Sequence, residues 1–147
     1  MSYMCSIQIA PRSSHRNRAV ILRLRGQSEQ AMVFLQEQEA ICVELGKKDG
    51  LSASYGNQAS ILREQGRLDE ALALQKEEEA ICLELGDKSG LAYCYWAWGL
   101  LERVLGNFGN QRAKLLSALD LFQALGMLRE RDQVKAALVK ASFPETS

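Results

Sequence analysis

Glycine recurs in register along this chain. Gly26, Gly66 and Gly106 are forty residues apart, as are Gly46, Gly86 and Gly126, and Gly50 matches Gly90. Between residues 26–65 and 66–105, fifteen of forty positions are identical, among them Ala31/Ala71, Glu39/Glu79, Ala40/Ala80, Ile41/Ile81, Cys42/Cys82, Leu45/Leu85, Leu51/Leu91, Tyr55/Tyr95 and Arg63/Arg103. A third unit keeps the spacing through Leu121, Phe122, Leu125 and Gly126. A period of this length is the mark of a stacked array, because a unit so short cannot bury its apolar face alone and must lean on its neighbours.

Each unit divides into two helices. From Leu51 to Gln65, Leu51, Tyr55, Ala59 and Leu62 recur at helical spacing and give one buried face. Gly66 stops that helix, since glycine takes the left-handed conformation without strain. Asp69 and Glu70 suit the start of the next, where negative charge meets exposed N–H groups. The second helix runs to about Leu85, with Ala71, Leu74, Ile81, Cys82 and Leu85 facing inward, and Gly86 closes it. Every glycine is read as helix punctuation. Glu44/Lys48 and Glu84/Lys88 are spaced for i,i+4 pairing.

The first unit is legible at the same offset: His15, Asn17, Ala19, Leu22 and Arg23 match Tyr55, Asn57, Ala59, Leu62 and Arg63. Pro11 falls in a first turn, where proline is tolerated. After Gly126, residues Val134, Ala137, Leu138 and Ala141 share one side of a helix that caps the array. The expected architecture is all-α: a right-handed α-solenoid of three helix–turn–helix repeats (12–46, 47–86 and 87–126) and a C-terminal capping helix (127–142). Residues 1–11 lie outside the repeat and 143–147 form a tail. The expected helix count is seven.

Composition bounds the function. Lysine plus arginine equals aspartate plus glutamate at 18 each, so the basic excess that neutralises phosphates is missing and nucleic acid is not the expected partner. No apolar run reaches the ~20 residues that span a bilayer, and the N-terminus lacks a signal peptide's basic start and long apolar stretch. A cytoplasmic protein is expected, with its four cysteines as reduced thiols. Catalysis has no candidate constellation. His15 is the lone histidine, and it aligns with tyrosines of the later units. Cys42 and Cys82, a repeat apart, read as small core residues. No cofactor or metal site is expected. The run Glu77-Glu78-Glu79 reads as a solvated convex face, because successive helical residues point about 100° apart.

The segment Tyr55-Gly-Asn57-Gln-Ala59-Ser-Ile61-Leu62, followed by Gly66-Arg-Leu-Asp69-Glu70-Ala71, resembles the tetratricopeptide repeat. It is similar in particular to the longer variant of kinesin light chains and bacterial regulators, and the likeness covers about residues 12–126. Gln75 and Glu78 depart from it, standing where the family has a large apolar residue and an alanine; Leu115 and Ala118 restore those types in the third unit. Gly109 and Gln111 also depart from the usual helix start, which predicts a ragged beginning there.

The resemblance implies a non-catalytic scaffold whose first, or A, helices line a concave groove. Arg23, Arg63 and Arg103 would then form a ladder along it. Asn17 and Asn57, with Ala97 breaking the series, would hold a ligand's backbone amides. Arg16, Tyr93 and Trp96 would add a cation and aromatic surface. Of the adjacent indoles Trp96 and Trp98, one is expected to pack on helix B or the cap. Guanidinium groups pair bidentately with carboxylates, so the expected partner is an acidic or C-terminal-carboxylate peptide. The alternative for the ladder is structural, each arginine reaching an acid such as Asp69 or Glu70 and tying the repeats. Three further functions stay open: self-association through an apolar N-terminal edge, a thiol or His15 enzyme, and RNA binding through the arginines.

Overall fold

A computed structural model of the chain describes residues 26–142. Six helices follow one another: α1 (Ser28–Leu45), α2 (Lys48–Glu64), α3 (Leu68–Leu85), α4 (Lys88–Leu105), α5 (Phe108–Ala124) and α6 (Leu128–Ser142). No strand occurs among the described residues. The helix expected within 12–25 lies outside them, as do residues 1–11 and 143–147.

The glycines end the helices as expected. Gly46, Gly66, Gly86, Gly106 and Gly126 all take positive φ. In each case the next residue, from Lys47 to Met127, donates its N–H to the carbonyl five residues back at 2.8–2.9 Å, satisfying an end group that would otherwise face solvent alone. Starts are weaker. Among α1 to α5, only Asp87 caps with its side chain, accepting from the Gly90 N–H at 2.9 Å; α1, α2, α3 and α5 begin without such a bond.

Each helix packs chiefly on its neighbours in sequence, and α2 also touches α4 across the joint between units. This nearest-neighbour pattern is the helical-repeat solenoid. Ala31, Leu35 and Ile61 fill the first core cluster. Ala59, Leu62, Ala71 and Leu101 fill the middle. Ala92, Leu115, Ala118, Phe122, Val134 and Leu138 join α4, α5 and the capping helix α6.

The fold departs from several expectations. Glu78 is not on a solvated convex face: it is 8% exposed, because α3 is covered by α2 on one side and α4 on the other. Leu85 does not face inward but is 44% exposed, at the last residue of α3. Glycine is not only punctuation, since Gly56 and Gly99 sit inside α2 and α4. At Gly99 an added Cβ would lie 2.8 Å from the Leu115 side chain, so its absence lets α5 approach. Helix α5 starts cleanly at Phe108, forty residues after the start of α3. Glu44 and Lys48 lie on different helices, and Lys48 instead pairs with Glu84 of its own unit.

Candidate functional site

The repeated polar residues fall into two groups once their partners are known. The first group holds the joints between units. Ser54 donates to the Leu35 carbonyl at 2.8 Å, and forty residues on, the Cys94 thiol donates to the Gln75 carbonyl at 3.4 Å. Tyr95 donates to Glu79 Oε2 at 2.6 Å. Tyr55 stands in the same relation to Glu39, and burial followed by the charges of Glu39 and Glu77 raises its pKa. The repeated tyrosine and glutamate are therefore a cross-joint pair. Their recurrence was visible in the sequence; their pairing was not, because nothing local links residues sixteen apart.

The second group comprises Asn57, Arg63 and Arg103. Asn57 is half-buried on α2 and Arg103 is exposed near the end of α4. Neither makes a side-chain hydrogen bond or ion pair among the described residues. Arg63 is half-buried in the last turn of α2. Glu70, one acid offered as its tie, is held by Arg67 through two contacts of 3.0 and 2.7 Å. Arg16, Asn17 and Arg23 lie outside the described residues.

The aromatic candidates are partly committed to packing. Trp96 meets the buried Phe122 ring edge-on at 5.9 Å, and Tyr93 lies beside Trp96 with centroids 6.2 Å apart. The Tyr93 hydroxyl donates to Glu130 Oε2 of α6 at 2.8 Å, yet the residue stays 42% exposed. Trp98 points the other way, buried beneath the Lys114 ammonium at 3.7 Å. Of the adjacent indoles, Trp96 alone borders the outer face of α4.

Thiol chemistry is suppressed where it can be judged. Burial, then the nearby Glu78 charge, pushes the Cys82 thiol up to about 11. Cys94 is raised further by the same two causes in the same order. A nucleophilic cysteine needs the opposite environment, one that favours thiolate. Among the described residues no group of acids, cysteines or histidine is gathered to hold a metal ion. No described helix is long and apolar enough to cross a membrane.

A family model for the tetratricopeptide repeat matches residues 11–84. No curated protein sequence matches the chain significantly.

Proposed function

Because this chain belongs to the tetratricopeptide repeat family, whose members mediate protein–protein interaction and are typically non-catalytic, we propose that it binds a partner protein along the face formed by the A helices. Among the described residues those helices are α2 and α4, and the sequence register puts residues 12–25 at the same place in the first unit. The bound element is an extended acidic segment or a C-terminal carboxylate, held by Arg63 and Arg103 with Arg23, while Asn57 and Asn17 engage its backbone amides. Arg16, Tyr93 and Trp96 contribute cationic and aromatic surface beside it. One observation carries the reading: the fold consumes the repeated Tyr–Glu pairs at its joints but leaves Asn57 and Arg103 without an internal task among the described residues. The protein acts without cofactor or metal and works in the cytoplasm.

Capture of a partner from source lysate tests this. An Arg23→Ala/Arg63→Ala/Arg103→Ala variant should lose the partner while melting within a few degrees of wild type. Retained capture rejects the ladder as a ligand site, and a lowered melting temperature with capture intact assigns it to tying the repeats.

A second reading, self-association at the N-terminal end of the array, has its own support. Ile41 of α1 is 55% exposed whereas its repeat counterpart Ile81 is 9% exposed, and Val33 of α1 is exposed too. Covering such a surface with another copy removes it from water. Sedimentation at low micromolar concentration decides, since a strict monomer rejects this reading.

A further inference from the structure

Exposed apolar residues recur in register at one edge of the array. Val43 and Leu45 lie in the last turn of α1, and Leu83 and Leu85 hold the same places in α3. Leu125 follows α5, and Leu128 joins it from the start of α6. All six are between 39 and 61% exposed. The turns that carry them lie side by side: Lys48 at the start of α2 pairs with Glu84 at the end of α3, and Tyr93 of α4 donates to Glu130 of α6. The opposite edge differs. Among the described residues, its exposed large apolar side chains are Val104 and Phe108, both at the joint between α4 and α5; their counterparts one repeat earlier are Glu64 and the half-buried Leu68.

The fold itself does not require this row. Glycine at positive φ already ends each helix there, and these side chains are left outside the core clusters. A single exposed leucine is ordinary, but a contiguous apolar set marks a surface that something covers. The row also reads alike in both directions, with two apolar side chains at each of three successive turns. A surface of that kind can meet its own copy across a two-fold axis. The charges at its two ends have opposite sign. Glu44 stands beside Leu45 and Arg129 beside Leu128, both exposed and neither in an ion pair among the described residues. Antiparallel pairing sets Glu44 of each copy against Arg129 of the other, whereas parallel pairing would set each against its own kind. The formal net charge is zero, so no long-range repulsion opposes the approach of two copies.

We infer that two copies of this chain pair edge to edge and antiparallel. Leu83 and Leu85 meet their own counterparts at the two-fold axis, Val43 and Leu45 of each copy pack on Leu125 and Leu128 of the other, and a Glu44–Arg129 pair closes each end. This surface is separate from the A-helix face and from the N-terminal end of the array, and it depends on neither reading given above. Removing the row from water supplies the attraction, and the end charges fix the direction. Six partly exposed side chains provide only part of the roughly 800 Å² per partner that a stable interface buries. The dimer therefore forms at micromolar rather than nanomolar concentration.

Sedimentation equilibrium of the full chain, from low to high micromolar concentration, tests this, with thermal melting of every variant alongside. Wild type should pass from monomer to dimer and no further, because a two-fold interface is closed. Leu85→Lys sets like charges against each other at the axis and should weaken the dimer more than about tenfold while leaving the melting temperature of the monomer within a few degrees. Glu44→Arg should weaken it roughly five- to tenfold, since it turns two attractive pairs into repulsive ones. The exchange Glu44→Arg/Arg129→Glu should restore wild-type affinity. That rescue uses surface residues alone, so it decides the matter even if Leu85→Lys folds poorly. A strict monomer throughout the range overturns the inference. So does a dimer indifferent to Leu85→Lys; if that dimer is lost in Ile41→Ser, association belongs to the N-terminal end of the array instead. Weakening by Glu44→Arg that the exchange fails to rescue overturns the antiparallel pairing.

Discussion

Where α3 buries Gln75, α5 buries Leu115, and where α3 buries Glu78, α5 buries Ala118. Cys82 and Phe122 are likewise counterparts, as are Gly56 and Trp96. The second and third repeats thus hold one backbone together with different chemistry. In the second, the Glu78 carboxylate occupies space that Gly56 leaves open, since a Cβ there would lie 2.6 Å from Glu78 Oε2. Its joint with α4 is lined by Gln75, Cys82 and Cys94. In the third, Trp96 fills that position from the facing helix and meets Phe122 edge-on, extending an apolar cluster into the cap. The contrast shows that what a repeat requires is local volume, matched between facing positions, rather than a particular residue at each. It also shows where polarity is buried: inside the array, at Gln75 and Glu78, whereas the matching positions beneath the cap, Leu115 and Ala118, are apolar.

The largest expected break in this contrast comes from the aromatic half. Phe122→Ala should cost about 3–5 kcal/mol by urea denaturation, the loss of a fully buried ring together with a cavity. Cys82→Ala should cost only about 1 kcal/mol, because a small thiol is all that leaves. Similar losses at the two sites would mean that the repeats are not packed differently.

Exchanging the chemistry is next in size. Leu115→Gln should destabilise by about 2–4 kcal/mol, since its amide would enter an apolar cluster. Gln75→Leu should stay within about 1.5 kcal/mol of wild type, because a near-isosteric apolar group replaces an amide whose visible partner is the weakly donating Cys94 thiol at 3.4 Å. Equal costs in both directions would remove the distinction.

Alkali should strike the polar joint first. The Cys82 proton is held in the fold to about pH 11 against an ordinary value of 9.0, so between those values the unfolded chain has lost a proton that the folded one keeps. Stability from this thiol is therefore whole below pH 9 and declines as pH rises toward 11, by about 2 kcal/mol. Cys94 and Tyr95 shift in the same direction and deepen the loss. Urea melts across that range should show the decline. Hydrogen exchange should place its onset at α3 and α4, and an onset at α5 and α6 would contradict the assignment.

The smallest expected effect compares two internal glycines. At Gly99 a new Cβ meets the immobile, fully buried Leu115, and overpacking should exceed the helix-propensity gain, for a net cost of about 1 kcal/mol. At Gly56 the obstacle is the end of the Glu78 side chain, which can turn aside, so Gly56→Ala should be nearly neutral by thermal melting.

Much of the candidate site was readable before any coordinates, because repetition itself flags residues. Asn57, Arg63 and Arg103 stood out as polar identities or near-identities, and they lie on the helices where the register put them. The Tyr–Glu pairs recur as plainly, yet only their contacts reveal them as joints. Separating Trp96 from Trp98 required knowing which indole lies beneath Lys114 and which rests on Phe122.

The sequence by itself determined the class of fold, the turns and the repeat register. Those depend on helical period and on glycine's access to positive φ, both properties of a few consecutive residues. Tertiary structure alone decided that Glu78 is buried while Leu85 is not, and that Gly56 and Gly99 serve close approach rather than termination. Burial depends on how many helices surround a given turn, and that is fixed by neighbours some twenty to forty residues away in the chain.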